Sequence, residues 1–258
     1  MATVLVTGAS SGIGKALAQV FAANGHELVI VARDLTRLRE TAEEIQQKYG
    51  VSCMSIAEDL SQESATANIF QRLEKEQKKI AILVNNAGHT VHGPFHATDI
   101  AQEINLVQLQ IGSFLRLIKM FLVKAPKKEG LKILNVASVY SFSPVPSQSV
   151  YGAVKAFMYS FSLAIGRELR DEGVQVTLLC PGSTRTEFRR RAGIKSAKAL
   201  ESGMPPELVA KIAYAGLMSG KKVVVPGLIN KFYFCLCRLL SAEQSANLLV
   251  RINRVRFR

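Results

Sequence analysis

The chain is poor in several features that would each assign it to a class. It has only four cysteines in 258 residues, Cys53, Cys180, Cys235 and Cys237. They show neither zinc-ligand spacing nor a CxxC redox pair, and read as core or stray thiols of a reducing compartment. Acidic residues are scarce, 20 Asp and Glu against 33 Lys and Arg, and the resulting net charge of +13 asks for an anionic partner. A phosphorylated cofactor, an acidic substrate, a membrane surface or nucleic acid would serve, but no nucleic-acid module is recognisable and that partner is set aside. The apolar run from Val223 to Leu240 is broken by Pro226, Lys231 and Arg238, so no membrane span is expected. Met1-Ala2-Thr3 runs directly into a strand pattern, so no secretory leader is expected and the protein is assigned to the cytoplasm. No linker, repeat or low-complexity tract divides the chain. Residues 1–258, 48% hydrophobic, are read as one large α/β domain whose sheet is buried on both faces.

What the chain does have begins with Val4-Leu5-Val6, a short buried strand followed at once by Thr7-Gly8-Ala9-Ser10-Ser11-Gly12-Ile13-Gly14. A helix then carries Ala16, Leu17, Val20 and Phe21 on its apolar face. Glycines between a strand and a helix let backbone approach a pyrophosphate, which the helix N-terminus attracts. The spacing is Thr-Gly-x-x-x-Gly-x-Gly, not the commoner GxGxxG, and a tight structural turn is the alternative explanation.

Further strand and helix patterns alternate along the chain. Strands are predicted at Glu27 to Ala32, Ser52 to Ala57, Ala81 to Val84, Leu131 to Val136, Val174 to Leu179 and Lys222 to Val225. Helical patterns cover about Leu35 to Lys48, Gln62 to Lys78, 101–124, Tyr151 to Asp171 and Pro206 to Met218. Such alternation implies βαβ units and a parallel sheet, with ligands beyond the carboxyl ends of the strands. Polar and glycine-rich turns stand at those ends: Glu58-Asp59-Leu60, Asn85-Asn86-Ala87-Gly88, Ala137-Ser138 and Cys180-Pro181-Gly182-Ser183-Thr184-Arg185-Thr186.

The stretch Tyr151-Gly-Ala-Val-Lys155 is the chemical centre of this reading. On a helix, residues four apart share a face, so a phenol stands beside an ammonium. A free tyrosine titrates near about 10, and drawing it to about 7 takes roughly 4 kcal/mol of preference for the phenolate. A neighbouring cation has the right sign to supply it.

Taken in order, Thr7 to Gly14, Asp59, Asn85 to Gly88, Asn105, Ser138, Tyr151, Lys155 and Pro181 to Thr186 resemble the motifs of the short-chain dehydrogenase/reductase family over roughly residues 3–186. The resemblance implies a doubly wound Rossmann fold with a seven-stranded parallel sheet flanked by helices. It also implies hydride transfer between NAD or NADP and a carbonyl/alcohol pair. By that likeness Tyr151 is the acid/base, Ser138 hydrogen-bonds the substrate oxygen, and Lys155 binds the nicotinamide ribose while lowering the tyrosine pKa. Asn105 helps hold a water linking Lys155 to solvent. Gly8, Ser10, Ser11, Gly12, Ile13 and Gly14 surround the phosphates and adenosine ribose. Asp59 and Leu60 hold the adenine, Asn86, Ala87 and Gly88 the adenosine side, and Pro181, Gly182 and Thr186 the nicotinamide. Each polar residue has a plain structural alternative: Asn105 as an exposed helix residue, Ser138 as a strand-end cap, and Asp59 and Thr186 as helix caps.

Cofactor choice turns on the end of the second strand. Relatives that prefer NAD carry an acidic residue there, which binds the adenosine 2′-hydroxyl. Here Ala32 takes that place and Arg33 follows, suited to a 2′-phosphate, while Asp34 precedes a helix that it can cap. The expected cofactor is therefore NADP(H), and the expected activity a ketone or 3-oxoacyl reductase. The alternatives are an NAD-dependent, hydroxysteroid-like alcohol dehydrogenase and a cofactor-sensing binding protein without turnover.

The remaining signals are weaker. His89, His92 and His96 have helical spacing, but Gly93-Pro94 opposes a helix there and no metal site is expected. About 187–205, with Arg189, Arg190, Arg191, Lys195 and Lys198, corresponds to the substrate-covering segment of the family. It is either an acidic-substrate contact or a solvated basic face. The chain lacks the family's Asp-Gly-Gly turn after the last strand and carries an extension at about 228–258. That extension is basic and aromatic, suited to an anionic membrane surface, to packing on the domain or to a second subunit. A homo-oligomer is expected.

Overall fold

The computed structural model describes residues 2–125, 129–192 and 202–257. Seven strands form one parallel sheet in the order β3-β2-β1-β4-β5-β6-β7. They are β1 (Thr3–Thr7), β2 (Glu27–Ala32), β3 (Cys53–Ala57), β4 (Ile80–Asn85), β5 (Lys132–Val136), β6 (Gln175–Leu179) and β7 (Val223–Val224). Alternate residues feed opposite faces, as the period of two requires. Leu5, Val29, Val31, Leu83 and Ile133 enter one core, and Val4, Val6, Leu28, Ile30, Val84 and Leu134 the other.

Helices α1 (Gly12–Ala23), α2 (Leu35–Tyr49) and α8 (Pro206–Met218) cover the second of these faces through side chains such as Leu17, Phe21, Leu38, Val209 and Leu217. Asp34 begins α2 by accepting a hydrogen bond from the Arg37 backbone at 3.1 Å, and Gly50, with φ +66°, ends it. Helices α3 (Ala65–Lys75), α4 (Ile100–Val107), α5 (Ser113–Lys124) and α6 (Ser149–Glu168) cover the first face. The sequence-derived boundaries hold to within a few residues. The largest trim is α3, whose early residues instead form a turn held by Asp59.

A π-helical turn, Gln108–Gly112, joins α4 to α5. The resulting stretch from Ile100 to Lys124 is long and apolar enough to cross a membrane. Its Leu106, Phe114, Leu117, Ile118 and Phe121 are instead buried against the sheet, which makes it a core helix. A short helix α7 (Phe188–Arg191) precedes α8, and α9 (Leu228–Cys237) and α10 (Ala242–Phe257) form the C-terminal extension.

Candidate active site

Strand order reverses between β1 and β4, and the loops leaving those strands meet there. Gly8 and Gly12 hold φ of +68° and +57°, a region that favours glycine. A β-carbon on Gly14 would lie 2.2 Å from the Gly8 carbonyl oxygen, so only glycine fits the turn. Ser11 begins α1 without a side-chain cap. The backbone N–H groups of the first turn therefore face the loop, with the helix dipole behind them. Ser10, Ser11, Gly12 and Ile13 are half-buried along this cradle, whose shape and polarity suit a pyrophosphate.

The second loop braces the first. Thr7 Oγ1 accepts from the backbone of Asn86 and Ala87 at 2.9 and 3.1 Å, and the Asn86 amide donates to the Thr7 carbonyl at 2.9 Å and the Gly8 carbonyl at 3.3 Å. Asn86 is thus a strut for the glycine turn. Gly88 packs on Gln110, whose Nε2 donates to the His89 carbonyl at 2.7 Å. Gln110 was not singled out in the sequence, and its place in the π-turn is what aims it.

At the end of β2, Ala32 is buried, Arg33 is exposed and Asp34 is engaged as the α2 cap. His89 lies within the fields of both Arg33 and Asp59, and burial is the main influence lowering its pKa. Asp59 Oδ1 accepts from Ser61 N and Oγ at 3.0 and 2.8 Å. Leu60 is buried in the core. Thr186 lies over Gly12, with its methyl 3.0 Å from where a Gly12 β-carbon would be, and its Oγ1 accepts weakly from Phe188 N at 3.4 Å.

Beyond this cradle, β5 leads into Ala137 and Ser138. Ser138 Oγ accepts from Tyr140 N at 3.2 Å, and the Tyr151 hydroxyl makes a hydrogen bond with Ser138. Both Tyr151 and Lys155 are buried on α6. Lys155 Nζ donates to the Val136 carbonyl at 3.1 Å and stands 5.5 Å from the centre of the Tyr151 ring. Helix α6 is held in place by a polar chain in the core. Asn85 donates to Asn135 and Asn135 to Ser162, each at 2.9 Å. Tyr140 meets Tyr151 edge-on at 6.3 Å and Phe188 approaches it at 5.9 Å, so aromatic rings surround the phenol.

The expected cationic lowering of the tyrosine is not what dominates here. Burial pushes the Tyr151 phenol above its ordinary value, while the Ser138 hydrogen bond works the other way. Burial also pulls Lys155 down to about 7. Lys155 is therefore a weak source of positive charge near neutral pH. The Cys180 thiol hydrogen-bonds the Ser138 backbone and is pushed up to about 12 by burial, which makes it inert.

Asn105 is half-buried on α4, beside Ser61, Gln62 and Gln108 on the wall of a shallow depression. Among the described residues, no direct hydrogen bond joins it to Lys155. Pro181 accepts from Val139 N at 3.0 Å, and Gly182 packs under the Asn230 side chain, a contact from α9 that the sequence did not suggest. Among the described residues, no cluster of His, Cys, Asp or Glu could hold a metal ion. Another cavity, of about 430 Å³ between Phe70, Leu73, Ile80 and Phe121, contains none of these groups.

A family model described as short chain dehydrogenase matches residues 2–196. The chain belongs to the short-chain dehydrogenase/reductase family. It is 34% identical over 200 residues to 17-beta-hydroxysteroid dehydrogenase type 3 of Mus musculus, covering 76% of this chain but 65% of the mouse enzyme. A short-chain dehydrogenase from Sphingobium yanoikuyae, solved in complex with NADPH, is 35% identical with a TM-score of 0.82 over 88% of each chain. The bulky-bulky ketone specific alcohol dehydrogenase from Comamonas testosteroni is 30% identical with a TM-score of 0.80, over 93% of this chain and 92% of that one. The family member described here is thus a nucleotide-binding oxidoreductase with a Rossmann sheet.

Of the covering segment, residues 187–192 and 202–205 are described, and Lys195 and Lys198 lie outside the described residues. Arg191 bonds Glu187 at 2.7 Å, and Glu187 also receives Arg37 at 3.0 Å. Arg191 and Arg37 together clasp Glu187 and tie this part of the segment to α2.

Proposed function

We propose that this protein is an NADP(H)-dependent reductase of apolar ketones, acting through Ser138, Tyr151 and Lys155. The observation that carries the reading is the Tyr151 hydroxyl hydrogen-bonded to Ser138 at the floor of the cleft, with Lys155 beside it. The nicotinamide, when bound, supplies a hydride to the carbonyl carbon. Tyr151 gives its proton to the substrate oxygen, and its burial keeps the phenol in the protonated form that reduction requires. Ser138 orients that oxygen and stabilises the charge developing on it. Lys155 holds the nicotinamide ribose, and Asn105 keeps a water through which the phenol is reprotonated.

The glycine turn after β1 and the uncapped start of α1 would hold the pyrophosphate. Preference for NADP is supported by the neutral strand end at Ala32, by exposed Arg33, and by Asp34 being engaged with Arg37 instead of standing free for a ribose. The NADPH bound to the Sphingobium relative agrees with it. An apolar substrate is supported by the aromatic rings of Tyr140 and Phe188 around the phenol, and by the hydroxysteroid and bulky ketone named for two relatives.

The test is NADPH oxidation against a panel of bulky ketones, diketones and 3-oxoacyl thioesters. Turnover of bulky ketones is expected, with NADPH preferred over NADH. Tight NADPH binding without turnover across the panel would overturn the reading in favour of a cofactor sensor.

A further inference from the structure

Helix α9 is built inside out. Its inner face carries the polar and aromatic contacts: Tyr233 Oη lies 2.5 Å from Ser143 Oγ, Phe234 packs on Phe142 at 4.6 Å, and Asn230 covers Gly182. Its outer face is apolar. Leu228, Phe232, Cys235 and, in the turn beyond, Leu239 fall within an arc of roughly 60° at the helical repeat. Ile229 flanks them. Leu228, Ile229, Phe232 and Leu239 are 82, 83, 69 and 84% exposed. A soluble helix ordinarily turns such a stripe inward, and a contiguous exposed patch of this kind marks a contact surface.

The charges around the stripe choose the occupant. Lys231 and Arg238 are exposed on one flank of the stripe, and Arg251 is exposed on α10. From Leu228 to the C-terminus the sequence has six Lys and Arg against Glu243 alone. A second copy docked face to face would set Lys231 and Arg238 near their own images with no acid on α9 to pair them. Anionic lipid headgroups offer the complementary charge, and acyl chains accept the apolar stripe.

We propose that α9 docks on an anionic lipid surface, seating the rim of the cleft at the bilayer so that the ketone enters from the lipid phase. The docking stands on the helix alone, whereas the entry route rests on the reductase reading above. The rim is the 3₁₀ turn Val139–Phe142, one residue past Ser138, on which α9 lies.

The experiment is co-sedimentation of the full-length protein with phosphatidylcholine vesicles, with and without phosphatidylserine, at low and high salt. Binding is expected on the anionic vesicles and should weaken with salt. The paired substitution Phe232→Glu and Leu239→Glu should reduce the partition coefficient at least about tenfold. Lys231→Ala and Arg238→Ala should each reduce it about fivefold on anionic vesicles only. Equal sedimentation of wild type and the Glu variant, or absence of binding, would overturn the proposal. So would a wild-type dimer that the Glu variant dissociates in sedimentation velocity, which would place a second copy on the face. Reduction of a water-soluble ketone without vesicles should be unchanged in the Glu variant. A wild type that binds vesicles but reduces no ketone would leave the docking intact and defeat the reductase reading and its entry route.

Discussion

Lys155 Nζ stands 5.5 Å from the centre of the Tyr151 ring while donating to the Val136 carbonyl, so both groups rest on one buried floor. Burial acts on them in opposite senses, raising the phenol and drawing the ammonium to about 7. The unfolded chain keeps its lysine proton to about 10.4, so between about 7 and 10.4 the unfolded state binds more protons. Stability then rises with pH across that window, and the cost of burying the charge is fully present below it. The span from 10.5 to about 7 corresponds to roughly 5 kcal/mol. Lys155→Met should therefore be more stable than wild type near pH 6, with the gap closing toward pH 10. Thermal melts across pH check this, and a gap independent of pH would show that the lysine is not desolvated.

Tyr151→Phe removes the proton donor and keeps the ring that packs on Tyr140 and Phe188. Turnover should fall by at least roughly a hundredfold, with NADPH affinity close to wild type. Steady-state kinetics on a validated ketone, paired with a binding titration, separates the two. Near-normal turnover would remove Tyr151 from the chemistry.

Arg33→Ala tests the cofactor assignment. One charge-assisted contact of this kind contributes on the order of 1.5–3 kcal/mol, or about 10- to 150-fold in affinity. NADPH binding should weaken by that factor and NADH binding should barely change. A wild type that binds NADH more tightly would refute the assignment.

Gly14→Ala would put a methyl 2.2 Å from the Gly8 carbonyl and 2.4 Å from Asn86 Nδ2. Two backbone loops would have to part to admit it. A stability loss of about 1–3 kcal/mol and NADPH binding at least about tenfold weaker are expected, measured by denaturant unfolding and titration. Unchanged values in both would mean that the cradle is looser than this packing.

The strands and the glycine turn were readable because their signals are local: short apolar runs punctuated by glycine, proline and polar residues. Asp34 was readable as a cap for the same reason. Asn86 was not, because its amide serves the carbonyls of Thr7 and Gly8, 79 and 78 residues away, and no local pattern distinguishes that strut from a ligand contact. The tyrosine environment was misjudged because a helix wheel gives the neighbour at four residues but not the depth of burial. The orientation of α9 was equally hidden. Its apolar positions suggest an inward face, and the distant contacts of Tyr233 with Ser143, Phe234 with Phe142 and Asn230 with Gly182 turn them out.

The π-turn at Gln108–Gly112 makes the length of this chain as important as its composition. A π-turn carries one residue more than the α-turn it replaces. Deleting Ile111 would let the stretch close into regular helix without breaking it. The turn would then hold one residue fewer over the same full rotation, so Asn105 and the buried stripe of α5 would nearly keep their bearings while the side chains of the turn itself were re-aimed. A single-codon deletion there should spare the packing of α4 and α5 and instead cost the bond from Gln110 to the His89 carbonyl, loosening the loop after β4.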